Sequence, residues 1–259
     1  MGLVVLMGGL AHATTVDFET FNIRNSNANG GTIIPPWDPN LVIVENGDQD
    51  GFLAETPEGG QKVGYGTSAF DGCELNDFVT VDWDKISGKA GVYAYLNIWV
   101  TDGNGNYAVI ASENDYRGTD FATRAEWKIF EYSGTNFDWL FDSGTGGRSS
   151  QYLTLNGSNA TLADISDDVY VYAGPGVGAT GVGTGAPQGG YGFNIIFGDT
   201  QSNFVGSYEI DNVAVTLDKG NGPEVYNAGA PVPEPATVSL LLMGLGGMAI
   251  RQRRKSLKS

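Results

Sequence analysis

Thirty carboxylates, one histidine and one cysteine set the chemistry open to this 259-residue chain. His12 is the only histidine, so the sequence beyond it has no imidazole for Ser-His-Asp or Cys-His hydrolysis, for general-base catalysis or for zinc ligation. Cys73 is the only cysteine, which excludes an internal disulfide and any Cys-x-x-Cys pair. No cation stands beside it in Asp71-Gly72-Cys73-Glu74 to favour a thiolate, so it reads as a small core residue. What remains is carboxylate chemistry: acid and base work between two Asp or Glu side chains, or oxygen ligation of a hard cation.

Three acidic segments test that chemistry. Asp102, Asn104, Asn106 and Glu113 fall at positions 1, 3, 5 and 12 of a spacing that resembles a calcium-binding EF-hand loop. Position 6 is Tyr107 where glycine is required, and strand-like sequence flanks the loop where helices belong, so Asp102-Gly103-Asn104-Gly105 reads as a hairpin turn. Glu45 to Gly51, Glu-Asn-Gly-Asp-Gln-Asp-Gly, is a better isolated calcium-loop candidate, with a solvated turn as the plain alternative. Glu209-Ile210-Asp211 resembles the Glu-x-Asp core of concanavalin-like β-glucanases, but Asn212-Val213-Ala214-Val215 follows where that family needs a second Glu. The acid/base is missing, and the chain is expected not to be an enzyme. Binding would instead rest on aromatic faces that stack on sugar rings: Trp37, Trp83, Trp99, Trp127, Trp139, Tyr65 and Tyr116. Trp99 and Trp127 sit in alternating strands and are expected in the core; Trp37, after Pro35-Pro36, and Tyr116 sit in loops and are the ligand-binding candidates.

These residues must be positioned by strands. Segments 93–100, 106–112, 125–132, 137–141, 169–173, 192–197 and 207–217 are short, rich in aromatic and β-branched residues and partly alternating. Gly-, Asn- and Asp-rich turns separate them, and residues 162–168 predict one short turn of helix. The expected architecture is an all-β, jelly-roll-type β-sandwich occupying residues 14–217. Residues 174–192, with nine glycines, predict a mobile insertion, and residues 218–232 a solvated linker. The sequons Asn156-Gly157-Ser158 and Asn159-Ala160-Thr161 predict an exposed loop.

Val16-Asp17-Phe18-Glu19-Thr20-Phe21 and Tyr208 to Val215 resemble the first and last strands of carbohydrate-binding and concanavalin-like jelly rolls. The resemblance implies adjacent strands whose acidic residues hold a structural Ca²⁺. Glu19 and Asp211 are then the calcium ligands carried over, with Asp17 and Asn212 in secondary positions.

The two ends of the chain carry addresses. Gly2 to Ala13 is an apolar stretch closing on Ala11-His12-Ala13, an A-x-A cleavage pattern, and residues 1–13 are expected to be a signal peptide with Thr14 as the first mature residue. The usual basic residues ahead of the stretch are missing, which fits a start further upstream. At the other end, residues 233–255 place Pro233-Glu234-Pro235 before the charge-free run Ala236 to Ile250 and then Arg251, Arg253, Arg254 and Lys255. Alternating prolines hold the approach extended, the run offers lipid a single transmembrane helix, and the basic cluster stays cytoplasmic. Fifteen residues span only about 22 Å, against about 30 Å of hydrocarbon, which is short for a permanent anchor.

This arrangement resembles the PEP-CTERM sorting signal of Gram-negative bacteria, some of whose motif models are named for an ice-binding protein C-terminal domain. The resemblance implies Sec-dependent export, transient inner-membrane retention, cleavage at the Pro-Glu-Pro by an exosortase, and delivery to the cell surface or a biofilm-like extracellular matrix. Ice binding needs regular threonine arrays that Thr154 and Thr161 do not form. Residues 14–234 hold nine Lys and Arg against 30 Asp and Glu, a net charge near −21. Such a field repels nucleic acid and anionic lipid and favours divalent-cation binding. Binding of extracellular polysaccharide, resting on the aromatic faces, is the leading expectation, with structural adhesion and glycoside hydrolysis as the alternatives.

Overall fold

The computed structural model describes residues 13–24, 42–45, 50–57, 61–88, 93–112, 121, 123–130, 136–173, 191–198 and 205–229. They form an all-β sandwich of two sheets. One sheet holds β1 (Thr14–Val16), β3 (Val42–Glu45), β4 (Phe52–Thr56), β6 (Phe78–Gly88), β15 (Gly206–Asp218) and β16 (Pro223–Ala228). The other holds β2 (Glu19–Arg24), β5 (Lys62–Thr67), β7 (Tyr95–Thr101), β8 (Tyr107–Ala111), β9 (Lys128–Phe130), β10 (Gly146–Ser149), β11 (Tyr152–Leu155), β12 (Ser158–Asn159), β13 (Tyr170–Val171) and β14 (Phe193–Phe197).

The first sheet is organised on β15. One edge of this 13-residue strand pairs antiparallel with β6. Its other edge is divided: Gly206 to Ile210 pair with β4, and Ala214 to Asp218 with β16. The boundary falls at a β-bulge. Tyr208 and Ile210 face inward before it, Val213, Val215 and Leu217 after it, so the inward parity changes by one residue at Asp211–Asn212. Asn212 takes φ 53°, a left-handed conformation that Asn tolerates better than most side chains. The Val213 amide donates to the Asp50 carbonyl at 2.8 Å, which ties the segment entering β4 to the bulge. Gly51 lies so close that a Cβ there would stand 2.7 Å from the Asp211 Cα.

The two sheets are joined by aromatic side chains. Phe78 of β6 stacks on Phe193 of β14 with ring centroids 5.5 Å apart, and Tyr208 of β15 on Phe197 at 4.7 Å. Phe70 packs edge-on against Phe78, Phe193 and Tyr226, while Phe121 links Phe78 to Trp127. Offset and edge-to-face pairs of this kind add about 0.5–1.5 kcal/mol each beyond the area they bury. β14 is buried along its whole length, so the centre of the second sheet is covered on both faces.

Several expectations are met and several are corrected. The turn predicted within 162–168 is a 3₁₀ turn at Leu162–Asp164, closed by Thr161 and Asp164 in a capping box. Residues 137–141, read as a strand, instead make a 3₁₀ turn at Asp138–Leu140. There Phe137, Leu140 and Phe141 are buried, and Asp138 accepts the Gly146 amide at 2.8 Å, which ties the turn to β10. The linker expected over 218–232 contains β16, which pairs antiparallel with β15 and parallel with β1. The sandwich therefore runs to about residue 229, where the Gly229 amide donates to the Val16 carbonyl at 3.1 Å. The single opening strand expected at 16–21 is two strands: β1 lies in one sheet and β2 in the other, and Asp17–Phe18 crosses between them.

The contact at the bulge has a measurable consequence. Gly51→Ala should lower stability by about 2–3 kcal/mol, because the added methyl meets backbone that cannot rotate away. Chemical denaturation of the tail-free domain would show it as a lower midpoint with an unchanged slope.

Candidate functional site

The residues expected to hold calcium are not brought together. Glu19 stands in β2 of the second sheet, where its carboxylate accepts the hydroxyl of Tyr191. Asp211 stands in β15 of the first sheet, opposite Asp84 of β6, and accepts the backbone amide of Asn212 at 3.0 Å. Asp17 lies on the exposed crossing between the sheets, and Asn212 donates its side-chain amide to Asp84 at 2.9 Å. The expected adjacency of the first and last strands is corrected to β1 beside β16, which places β1 two strands from Asp211. Among the described residues no group of three or more His, Cys, Asp or Glu is arranged to hold a metal ion. Glu19 and Asp211 therefore stand in different sheets, where the jelly-roll resemblance implies adjacent strands.

The loop with EF-hand-like spacing is a hairpin turn between β7 and β8. Asp102 accepts the amides of Asn104 and Asn106 at 2.8 and 3.2 Å and the Asn106 side chain at 2.7 Å. Burial works to raise this carboxyl, but those donors outweigh it and hold it below its ordinary range. Its oxygens thus serve the turn itself. The second loop candidate, Glu45 to Gly51, lies outside the described residues between 46 and 49.

The aromatic candidates divide by burial. Trp99, in β7, and Trp127, which precedes β9 and lies outside it, are both buried, at 6% and 0% exposure. Tyr65, read as an exposed stacking face, is corrected: it is fully buried and stacks on Phe18 at 4.9 Å between the sheets. Trp83 and Trp139 are half-buried against the core. Trp37 and Tyr116, the two ligand candidates, lie outside the described residues. The large exposed apolar side chains among the described residues are Val79, Ile86 and Tyr172.

Two polar arrangements were not anticipated from the sequence. At the C-terminal stem of the Gly-rich segment, buried Asn194 accepts the Tyr191 amide at 2.7 Å and donates to the Tyr191 and Asn97 carbonyls at 2.6 and 3.0 Å. The adjacent Tyr191 phenol is pushed up by burial, by its hydrogen bond to Glu19 and by the charges of Glu19 and Asp17, so it stays a donor. Nearby, Asp71 turns its Oδ1 toward Gly192, buried and without a hydrogen-bond partner. Desolvation raises that carboxyl from 3.8 to about 6. Acidity concentrates again around Glu74, where burial and then the charges of Asp77, Asp167 and Asp168 raise the carboxyl.

Asp71 carries a pH signature. Below about 3.8 it is neutral folded and unfolded; between 3.8 and 6 the unfolded chain ionises first, so stability falls as pH rises. Asp71→Asn should therefore stabilise the domain at pH 7 by about 1 kcal/mol, discounted for its half-exposed position, and the gain should vanish below about pH 4. Thermal unfolding of both forms across that range checks it.

The C-terminal segment is where comparison with known proteins bears. No helix of the described residues is long and apolar enough to cross a membrane, and the run 236–250 lies outside them. No curated protein and no solved structure matches the chain. Residues 231–255, about a tenth of the sequence, match the family model of the PEP-CTERM protein-sorting motif.

Proposed function

We propose that this chain is an exported, non-catalytic surface protein. Its C-terminal segment holds it at the inner membrane of a Gram-negative bacterium after Sec-dependent export. Exosortase then cuts near Pro233-Glu234-Pro235, and the acidic β-sandwich passes to the cell surface or extracellular matrix, where it contacts extracellular polysaccharide. The observation that carries this reading is the match of residues 231–255 to the sorting motif, with Pro-Glu-Pro, apolar run and basic cluster in order. Trp37 and Tyr116 supply the stacking faces of the polysaccharide reading, and the net charge near −21 argues against nucleic acid.

A second reading, a structural or adhesive matrix component with no small ligand, is favoured by the burial of Tyr65, Trp99 and Trp127. Glycoside hydrolysis ranks third, because Glu209 and Asp211 lack the second Glu beyond them.

Glu234→Ala should leave a membrane-held precursor in a strain with active exosortase; a normal yield of tail-less protein would sink the sorting assignment. Glycan-array binding by the tail-free sandwich should fall at least tenfold, about 1.4 kcal/mol, in Trp37→Ala or Tyr116→Ala. An array with no binding would leave the structural reading.

A further inference from the structure

Two strands meet along one edge of β7. Tyr95 to Ile98 pair there with β14, and Val100 and Thr101 with the two-residue β13. Trp99 stands at the seam: its amide donates to the Gly192 carbonyl at 2.8 Å, and its carbonyl accepts the Tyr172 amide at 3.0 Å. The far side of β13 is held by the segment after β5. The Gly72 amide donates to the Val171 carbonyl, the Val171 amide to the Cys73 carbonyl and the Leu75 amide to the Val169 carbonyl, each at 2.8 Å. Ala173 and Tyr191, one residue beyond the contacts of Trp99, bracket residues 174–190.

The Asp71 carboxyl lies in this seam. A Cβ added at Gly192 would meet Asp71 Oδ1, with Val171 Cγ1 at 3.2 Å and the Ala173 nitrogen at 3.3 Å, so that oxygen stands between the two strands. It is buried and accepts no hydrogen bond. The amides of Gly72, Cys73, Tyr172 and Tyr191 are committed to other acceptors, so a negative charge there finds no donor among them. The titratable groups on its own segment are Cys73 and Glu74. Those on the surrounding elements are Tyr170 and Tyr172 by β13, Tyr191 with Glu19 and Asp17 beyond it, and Tyr226 of β16, which packs on Phe70 and bonds Glu224. Burial, rather than any of these charges, raises the Asp71 carboxyl.

We propose that Asp71 is a proton-operated catch on this seam: neutral, it lets Tyr172 and Gly192 close against Trp99, and ionised, it favours a locally opened form in which water reaches the carboxylate. The opening gives up the two hydrogen bonds at Trp99 and leaves Ile98 paired with Phe193. The closed form holds its proton up to about pH 6, whereas a hydrated carboxyl holds it only to 3.8. Opening therefore grows as pH rises through that window and levels off above it. The same proton sets how firmly Ala173 and Tyr191, the two roots of the Gly-rich insertion, are held.

Hydrogen exchange of the full chain in mild detergent, resolved to single amides and corrected for intrinsic exchange, tests this between about pH 4 and pH 7. Protection of the Trp99 and Tyr172 amides should lie below that of Ile129 and Leu153, which donate to the Gln151 and Trp127 carbonyls. It should also fall about tenfold across that range, because half-exposure trims the roughly hundredfold ceiling set by the gap from 3.8 to about 6. Asp71→Asn should flatten the profile at the higher protection, and Glu74→Gln, which removes the other carboxyl of that segment, should leave the native slope. A flat native profile would overturn the catch whether or not the variants fold. A slope that survives Asp71→Asn would overturn it by assigning the titration to another group. Equal protection and equal slopes at all four amides would overturn it likewise, by assigning the effect to unfolding of the whole domain.

Discussion

One strand holds the first sheet together. Among the described residues β15 alone touches both halves of it, and its two halves must face their side chains inward against one core. A regular strand with an uninterrupted two-residue repeat could not do so with this sequence, because Ile210 and Val213 are three apart. The extra residue at Asp211–Asn212 resolves the conflict, and its surroundings follow from it. Asn212 accepts the left-handed backbone, the Asp50 carbonyl takes the amide that the ladder no longer uses, and Gly51 leaves room for the bend. It also leaves carboxylates facing one another across β15 and β6, an arrangement that repels unless donors such as the Asn212 amide intervene.

The division of labour between inside and outside explains the functional profile. Aromatic side chains are drawn into the core between the sheets, where they bury most area, so Tyr65 and Trp127 serve stability. Acidic side chains are left on strand faces and turns, several already engaged by local donors, as Asp102 and Asp138 are. A surface of this acidity opposes nonspecific association with other anionic surfaces. The sorting motif lies beyond these strands and turns, at residues 231–255.

The sequence reveals the strands that combine β-branched or aromatic residues with clear turn punctuation, such as β7, β8, β14 and β15. It conceals those whose pairing is decided elsewhere. β16, Pro-Glu-Val-Tyr-Asn-Ala, has too little apolar content to announce itself and is a strand because β15 and β1 offer it two edges. β6 loses its alternation at register shifts against β15. Residues 137–141 look like a strand by composition, but their buried positions at 137 and 140 have a spacing of three, which a 3₁₀ turn satisfies. Strand order, which sequence does not display, also decides whether Glu19 and Asp211 share a sheet, and they do not. The sorting motif needed no such information, because its three parts are contiguous and act in order along the chain.

The parallel pairing of β1 with β16 bears on when the domain can fold. A chain that crosses a membrane from its N-terminus delivers β1 first, and β1 has no partner until residues 223–228 arrive. β6 and β4 likewise wait for 206–218, so the first sheet has no organising strand until most of the protein has emerged. Pairings this distant in sequence are slow to close and do not form from partial chains. In a chain delivered from its N-terminus, this topology would delay completion of the first sheet until residues 206–228 are present, just before the sorting segment follows.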